Sequence, residues 1–496
     1  MTARAPTRVV VVGRDAPLWL SAAVLQAALR AAGVQVSAVE LPSRLGVADV
    51  HVCQPPLEAL HNQLRLDEAT LLRANGGAFT LGQNFVDSTG RVPAFFHAHG
   101  AYGAPIDRHD FFPCWLKARG LGLEVAFEDF SPTAVAARQG RVLIPDEETE
   151  VFGRADYAYH LPAVAYAAFL ADAATRMGVE RHPAQALGVR LDSASGDVVA
   201  IDLGGGRVIE GDLFIDATGE EAVLIGAALG VARDDWRAFF PVDRLLSARA
   251  PRLDPLPAYA EIRAGDHGWT GLHPTRTATH VLHAWSSADG DDEAALRRAG
   301  AVAGLPLEVA RVAPISPGRA RAAWSRNCVA VGRAACVFDP LHGVDLLAVQ
   351  LGLVHLLGLF PTAPRIGAER AEYNRITASA FERIRDFQSV HYALNRYGEG
   401  AFWKRARAVE ISPELARKIA TFRARGEAPA LEDESFVADS WRAMLLGHGL
   451  VPQSHPPRID RTAPETLKAE FRRVLGLVAT QVRRQPAHGL YLEGLG

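Results

Sequence analysis

The first forty or so residues alternate between strand and helix patterns, and this alternation restricts the fold more than any other feature of the chain. Residues 8–12 read RVVVV, a continuous apolar run typical of a strand buried on both faces. Residues 16–32 have helical character, and residues 34–40, VQVSAVE, form a second strand pattern that ends in Glu40. This order predicts a βαβ unit with parallel strands.

The turn between the first strand and the helix keeps only part of a dinucleotide-binding loop. Such a loop uses three glycines, for a tight turn, for close approach of the backbone to pyrophosphate, and for close packing of helix on strand. Gly13 supplies the first, while Asp15 and Leu18 occupy the other two positions. We expect Asp15 to cap the helix with its carboxylate and so compete with phosphate, and Pro17 to suit the first helical turn.

Length and composition exclude several classes of protein. A chain of 496 residues with 49% hydrophobic and 22% charged residues can bury a large core, and a net charge of -3 argues against nucleic acid as the main partner. The four cysteines form no CxxC pair, so we expect neither a disulfide framework nor a metal site. We expect a cytoplasmic protein without a membrane partner, because its most apolar stretch, LLAVQLGLVHLLGLF, is too short to span a bilayer.

Later segments predict more of the same α/β body. Residues 188–219 read as three antiparallel strands that lead into a final buried strand at 213–219, LFIDATG. Residues 327–335, NCVAVGRAA, predict a further buried strand that runs into a helix at 344–360. The C-terminal region is mostly helical, and one of its helices begins with a Ser412 cap.

From end to end the chain resembles the flavin-dependent tryptophan halogenases. The segments DLFIDATG, NCVAVGRAA, YNRITASAFERIRDF and SWRAMLLGHGLVP lie in that family's order and at its spacing. The resemblance implies an α/β fold with an FAD-binding, Rossmann-like body of the flavoprotein monooxygenase and halogenase type, with interleaved sheets. We expect residues 1–364 to form this body with interleaved substrate-pocket segments, and residues 365–496 to form a helical C-terminal region that packs over the pocket.

The residues that carry the family's chemistry differ here. In the family, reduced FAD reacts with oxygen, the peroxide oxidises halide, and a lysine conveys the oxidant to an aromatic substrate. Thr80 stands at the lysine position, in FTLG, and a hydroxyl cannot form a haloamine. His342 replaces the catalytic glutamate, in DPLHGVD, either as an acid–base group or as a hydrogen-bonded loop histidine. Asp345, near the halide-binding amides, would compete with chloride.

The resemblance assigns seven positions to the cofactor and four to the substrate pocket. The cofactor positions are Gly13, Asp15, Glu40, Asp216, Gly219, Gly332 and Pro340. The pocket positions are His97, His99, Trp269 and Trp441. Glu40 can hold a ribose or be a solvated strand end, and Asp216 with Gly219 can hold cofactor or be scaffold alone. In WTGLHP, Gly271 replaces a second tryptophan that in relatives is thought to hinder monooxygenation.

Three functions remain open. The first is an FAD-dependent oxidoreductase that has lost halogenation and oxygenates or otherwise oxidises an aromatic or indole-like small molecule. The second is a non-catalytic relative with weak or no FAD binding, which serves as a binding or partner subunit beside an active paralogue. The third is a halogenase with substitute residues. The resemblance implies a separate flavin reductase as partner and leaves a homodimer open.

Overall fold

The computed structural model describes residues 6–144, 156–363 and 366–495, and these form two compact units built from interleaved segments. The first unit comprises Met1–Asn75, Leu161–Arg237 and Ile315–Arg385. The second unit comprises Gly76–His160, Ala238–Pro314 and Asp386–Gly496. The α/β fold with interleaved sheets is confirmed, whereas the predicted boundary between residues 364 and 365 lies outside the described residues.

Helices and strands alternate through much of the described chain. The helices are α1 Asp15–Leu29, α2 Pro56–Gln63, α3 Glu68–Asn75, α4 Phe111–Gly120, α5 Pro132–Arg138, α6 Ala163–Arg176, α7 Asp292–Ala303, α8 Asp345–Gly358, α9 Gly367–Ala393, α10 Ala401–Arg407, α11 Pro413–Arg425, α12 Ala438–Gly447, α13 Pro464–Arg484 and α14 His488–Gly494. The strands are β1 Arg8–Gly13, β2 Gln35–Glu40, β3 Val50–Val52, β4 Ala78–Thr80, β5 Gly82–Asp87, β6 Phe95–Ala98, β7 Ala158–Pro162, β8 Glu180–Pro183, β9 Gly188–Leu191, β10 Val198–Asp202, β11 Val208–Glu210, β12 Leu213–Ala217, β13 Arg233–Asp235, β14 Arg244–Ala250, β15 Ala260–Gly265, β16 Gly268–Pro274, β17 Thr279–Trp285, β18 Glu308–Pro314, β19 Gly318–Ala320, β20 Trp324–Ser325, β21 Cys328–Ala330 and β22 Cys336–Val337. Short 3-10 turns at Gly332–Ala334 and Leu341–Gly343 lie between β21 and α8.

The first unit is built on a six-stranded sheet in the order β20-β21-β12-β1-β2-β8. Neighbours from β21 to β8 are parallel, and β20 is antiparallel to β21. The predicted βαβ unit is confirmed, since α1 connects β1 to β2 and packs against α6 and α8. The three predicted antiparallel strands are also confirmed as β9, β10 and β11, followed by the fully buried β12.

One strand prediction in this unit is wrong in its length. Residues 327–335 were expected to form one buried strand, but β21 covers only Cys328–Ala330. The chain then turns at Gly332, whose φ of +57° lies in the left-handed region that glycine adopts without strain. The 3-10 turn that follows places Arg333 and Ala334 beside the start of α8 instead of extending the sheet.

The second unit is built on a seven-stranded sheet in the order β18-β14-β17-β16-β15-β5-β6. Its neighbours are antiparallel except for β15 and β5, which run parallel. Helix α7 packs on this sheet, and its Ala295 and Ala299 share one buried hydrophobic cluster with Leu246 and Trp285. The Ser412 cap is confirmed, because its Oγ accepts a hydrogen bond of 3.0 Å from the backbone N–H of Leu415.

One helix of the first unit has the length and composition of a membrane span. It covers Leu341–Gly358, including the turn before α8, and 56% of it is buried inside the protein. A buried core helix of a water-soluble protein has the same apolar composition, so this helix is weak support for a membrane span.

Several histidines in both units are buried as neutral imidazoles. Burial, the dominant effect, lowers their pKa from 6.5 to about 4 in His61, His97, His283 and His488, and to about 3 in His160 and His448. Some are used as hydrogen-bond partners in the neutral state. His61 Nε2 lies 2.8 Å from the Tyr166 hydroxyl, and His160 Nδ1 lies 2.9 Å from the carbonyl oxygen of Pro274.

We expect the free energy of unfolding to fall as the pH drops from about 6.5 towards 4, because the unfolded chain then binds protons that the folded chain excludes. Above the pKa of 6.5 in the unfolded chain, these histidines are neutral in both states, so the free energy of unfolding is not reduced. Between that pKa and the lower pKa in the folded chain, each histidine reduces the free energy of unfolding by about 1.4 kcal/mol per pH unit. Urea denaturation at pH 8, 7, 6 and 5 measures this. His160→Gln should flatten the slope, whereas His109→Gln on a partly exposed loop should not. Equal stability at pH 7 and pH 5 would contradict the prediction.

Candidate functional site

The loop end of the six-stranded sheet is where β1, β2 and β12 finish side by side. Gly13 pairs with Ala217 on one side and with Glu40 on the other. A Cβ atom on Gly13 would lie 2.4 Å from the carbonyl oxygen of Ala217, closer than any side chain can approach. The close pairing of β1 and β12 therefore requires glycine at this position whether or not a nucleotide binds.

Asp15 does not cap α1, so that prediction is wrong. Its φ is +59°, in the left-handed region, whereas a capping residue needs an extended backbone. Arg14 takes the capping position instead, and its side chain accepts no hydrogen bond from the helix. Within the described residues the Asp15 carboxylate forms neither a hydrogen bond nor a salt bridge, so its negative charge remains uncompensated at the start of α1.

Two arginines beside this loop are paired with one carboxylate that follows β12. Arg14 binds Glu221 at 3.2 Å, and Arg44 binds the other oxygen of the same side chain. The Arg44 guanidinium is the main reason that the pKa of Glu221 lies below its usual range. Both arginines are therefore engaged by a side chain of the protein itself.

A second group of ion pairs joins the turn after β21 to the start of α8. Arg333 binds Asp345 at 3.0 Å and also binds Glu220. His51 lies in the same region: burial lowers its pKa, against the opposing attraction of Asp345, Asp15 and other carboxylates. Asp345, which from the sequence we expect to compete with chloride, has a guanidinium partner in the structure.

Glu40 and Asp216 have partners within the protein as well. Arg181 on β8 binds Glu40, with Nε 2.7 Å from Oε2. The buried Asp216 carboxylate accepts four hydrogen bonds, from the Thr218 N–H and hydroxyl and from two backbone N–H groups of the following helical turn. Burial raises the pKa of Asp216, and these hydrogen bonds act in the opposite direction. The geometry favours the scaffold alternative for Asp216 and the adjoining Gly219.

The segment that carries His342 is buried beneath β3. His342 is 1% exposed and has a φ of +66°. Its carbonyl oxygen accepts a hydrogen bond from the Gln54 side chain. A Cβ atom on Gly343 would lie 2.4 Å from Cβ of Val52, so the turn after Pro340 and the end of β3 are in direct contact. A side chain larger than that of glycine would not fit at position 343.

Carboxylate groups dominate the charge at the loop end of the first sheet. A pyrophosphate needs free backbone N–H groups and uncompensated positive charge at the helix start. The carboxylates of Asp15, Asp49, Asp345, Glu220 and Glu221 outnumber the guanidinium groups of Arg14, Arg44 and Arg333 around this loop. Among the described residues, no cluster of His, Cys, Asp and Glu side chains is suited to hold a metal ion.

In the second unit, Thr80 is the last residue of β4. It is 1% exposed, and its hydroxyl donates a hydrogen bond of 3.1 Å to the carbonyl oxygen of Gly82. Its partner across the strand pair is Ala158 on β7. The hydroxyl is therefore used to hold the turn between β4 and β5.

Four aromatic side chains, His97, Phe387, Phe436 and Trp441, form what we call the aromatic cluster. Phe387 and Phe436 stack with ring centroids 3.8 Å apart and planes 9° from parallel. Trp441 meets Phe387 edge-on at 5.0 Å, and His97 lies 5.6 Å from the same ring. His97 also contacts His99 at 6.4 Å, so the structure brings three of the four predicted pocket residues into one region.

A buried ion pair beside the aromatic cluster was missed by the sequence analysis. Lys418 on α11 is 4% exposed, binds Glu434 at 2.5 Å, and places its ammonium 4.0 Å from the centre of the Trp441 ring. The position of Lys418 in the sequence indicates that it is buried, because Lys418 lies on the same face of α11 as Leu415 and Phe422. A lysine on the apolar face of a helix predicts a buried partner.

Trp269, the fourth predicted pocket residue, has a hydrogen-bond partner within the second unit. Its indole N–H donates to the Tyr392 hydroxyl at 2.9 Å. A Cβ atom on Gly271 would lie 2.7 Å from Nε2 of His273, so the His273 ring occupies the space that a second tryptophan would need. Among the described residues, no ring contact joins Trp269 to the aromatic cluster.

Comparison with known proteins agrees with this architecture. The tryptophan halogenase family profile matches residues 8–464. Tryptophan 6-halogenase SttH of Streptomyces toxytricini is 24% identical, over 100% of this chain and 99% of the relative. The structure of BrvH, a flavin-dependent halogenase from Brevundimonas sp. BAL3, is similar with a TM-score of 0.91 and 31% identity, covering 99% of both chains. That of Xcc4156, a flavin-dependent halogenase from Xanthomonas campestris, gives 0.92 and 30%, with the same coverage.

The match of the family profile extends over most of the chain, and the similarity to solved halogenases covers both units. The chain belongs to the tryptophan halogenase family, whose solved members include flavin-dependent halogenases.

Proposed function

We propose that this member of the family has lost halogenation, binds FAD weakly or not at all, and serves as a non-catalytic binding or partner subunit. The observation that carries the proposal is the occupation of the loop end of the first sheet by the protein's own charges. Asp15 brings an uncompensated carboxylate to the start of α1. Arg14, Arg44 and Arg333 are already bound by Glu221, Glu220 and Asp345.

The electrostatic cost of adding a pyrophosphate here is large enough to matter. Two anions about 4 Å apart repel by about 1 to 4 kcal/mol, depending on the local dielectric. To compensate the charge of the pyrophosphate, Arg14 or Arg333 would have to release its carboxylate partner and bind a phosphate group. The released carboxylate would then have no partner. Each factor of ten in affinity corresponds to about 1.4 kcal/mol, so this repulsion alone weakens binding by about fivefold to nearly a thousandfold.

The residues at the two catalytic positions support the loss of halogenation. Thr80 carries no amine, and its hydroxyl is engaged with Gly82. His342 is buried against β3 in a turn closed by Gly343 and Val52. Neither side chain offers what the resemblance implies for transfer of an oxidised halogen to an aromatic ring. A protein with these features fits the role of partner to an active paralogue.

A second candidate is favoured by the aromatic cluster. His97, Trp441 and their neighbours provide aromatic faces that suit an aromatic or indole-like molecule, and Gly13, Gly332 and Glu40 remain at their cofactor positions. These features support an FAD-dependent oxidoreductase that uses a separate flavin reductase. The stacked pair of Phe387 and Phe436 argues against it, because those two rings already cover each other's faces.

Purified protein should be nearly colourless, and FAD titration should give a Kd above about 10 µM. The variant Asp15→Asn should bind FAD about tenfold more tightly, because the substitution removes the negative charge and keeps the shape of the side chain. The variant Asp15→Gly should in addition remove the strain of the left-handed backbone at this position. Asp292→Asn, on the exposed first turn of α7, is the matched control and should leave the Kd unchanged. Leu18 is not substituted in any of these variants, because its side chain is fully buried. A stoichiometric yellow protein would overturn the proposal.

The protein should produce no halogenated tryptophan when supplied with reduced FAD, oxygen and chloride or bromide. Thr80→Lys alone should not restore the product, since His342 and its buried turn are unchanged. Mass spectrometry of the reaction mixture measures this against a heat-inactivated sample. Halogenated tryptophan above that background from the unaltered protein would show that substitute residues carry the reaction, and product from Thr80→Lys would show that the lysine alone restores it.

The melting temperature of the protein, measured with and without indole or related aromatic compounds, distinguishes the two candidate functions. A ligand that binds only the folded state raises stability by RT ln(1 + [L]/Kd), so the oxidoreductase candidate requires a shift and the non-catalytic candidate with a filled cluster requires none. If a shift occurs, Trp441→Phe should reduce it. Trp324→Phe, an equally buried tryptophan in the first unit, is the matched control. Absence of any shift at millimolar indole supports the non-catalytic proposal.

A further inference from the structure

A groove of about 610 Å³ lies in the second unit, outside the aromatic cluster. Its walls come from the start of β6, the end of α4, the segment before Phe127 and the end of α12. None of His97, Phe387, Phe436 and Trp441 lines it. We call it the β6 groove. Its volume lies within the range of pockets that hold small organic molecules.

The floor of the β6 groove is aromatic and fixed by stacking. Phe95 stacks on Phe85 with ring centroids 4.9 Å apart and planes 13° from parallel. Phe127 stacks on Tyr102 at 4.8 Å and 5°. These stacking contacts fix the rings in place, so the apolar surface that they present to the groove has a constant shape, which lowers the entropy cost of binding a flat apolar ring. Val451, 53% exposed, extends this apolar wall at the rim.

Arg119 supplies a positive charge at one side of the groove. Its guanidinium lies 5.1 Å from the centre of the Trp115 ring, and Trp115 is held in turn by a hydrogen bond of 3.1 Å from its indole N–H to the carbonyl oxygen of Val125. Within the described residues Arg119 forms no salt bridge. Stacking on an indole leaves the N–H edge of a guanidinium available to an acceptor.

Arg396 supplies a second positive charge from a different element. Its guanidinium donates to the carbonyl oxygen of Gly447 at 3.4 Å and packs so closely on Gly449 that a Cβ atom there would lie 2.6 Å from Cζ. No salt bridge to Arg396 is formed in the part of the chain that the structure describes. The fold therefore places two guanidinium groups on one groove, and among the described residues neither forms a salt bridge with a carboxylate.

The acidic residues of the groove do not neutralise this pair. Glu128 is bound by Arg138 and accepts a hydrogen bond of 2.7 Å from the Phe96 N–H, so its charge is used within the protein. Glu124 is exposed at the rim and forms no salt bridge among the described residues. The uncompensated charges of the groove are thus two positive and one negative, over an aromatic floor.

We propose that the β6 groove binds a small aromatic carboxylate, with the ring on the Phe95 side and the carboxylate on Arg119 and Arg396. Guanidinium groups form strong, charge-assisted hydrogen bonds with carboxylates, and an aromatic floor selects a flat apolar body. Neither feature alone selects this class of ligand, since a neutral aromatic compound leaves the two charges unused. The site is independent of FAD and of the aromatic cluster.

Calorimetric titration of the full chain with 2-naphthoate at low salt tests the proposal. We expect 2-naphthoate to bind at least tenfold more tightly than the neutral 2-naphthamide, and its Kd to rise with sodium chloride because the arginines are exposed. Arg119→Met and Arg396→Met should each weaken binding about tenfold. Arg458→Met removes the same charge from another exposed position of the second unit and should change the Kd less than twofold.

Photolabelling with 4-benzoylbenzoate, an aromatic carboxylate, locates the site without any substitution. Labelled peptides should fall within residues 93–128 or 443–451 or contain Arg396, and excess 2-naphthoate should prevent the labelling. The proposal is overturned if the full chain binds no 2-naphthoate, if 2-naphthamide binds equally well, if the double variant Arg119→Met, Arg396→Met binds as tightly as the original, or if labelling falls elsewhere.

Discussion

The close pairing of β1 with β12 at Gly13 and Ala217 is the contact on which the first unit depends. Because a side chain at Gly13 would penetrate the Ala217 backbone, this position stays glycine on packing grounds alone. The same pairing brings the residue after β1 next to the turn after β12, and so places Arg14 against Glu221. A feature that looks like a remnant of ligand binding is thus maintained by the sheet itself.

The turn after β12 and the charges beside it are held by the protein's own groups. Asp216 accepts four hydrogen bonds from its own turn, so the turn needs no ligand to hold its shape. Glu220 and Glu221 follow that turn and bind arginines that would otherwise attract an anion. Individual exposed pairs contribute little to stability, but together they remove the local excess of positive charge.

Sequence patterns predicted the parts of the structure that depend on local rules. The βαβ unit and the Ser412 cap follow from apolar periodicity and capping chemistry, both of which act over a few residues. The left-handed backbone of Asp15 was missed because aspartate usually caps with an extended backbone. The stacking of Phe387 on Phe436 and the pair of Lys418 with Glu434 join distant segments, and no periodicity reports which partners will meet.

The interleaving of the chain has a consequence for how the protein is made. The last segment of the first unit ends at Arg385, whereas the last segment of the second unit runs from Asp386 to Gly496. During synthesis the first unit has all its residues while the helices α10–α14 are still to be translated. Until those helices are made, the second unit lacks Trp441 on α12 and its neighbours on α11, and the apolar surface that they cover is exposed to chaperones and to other nascent chains.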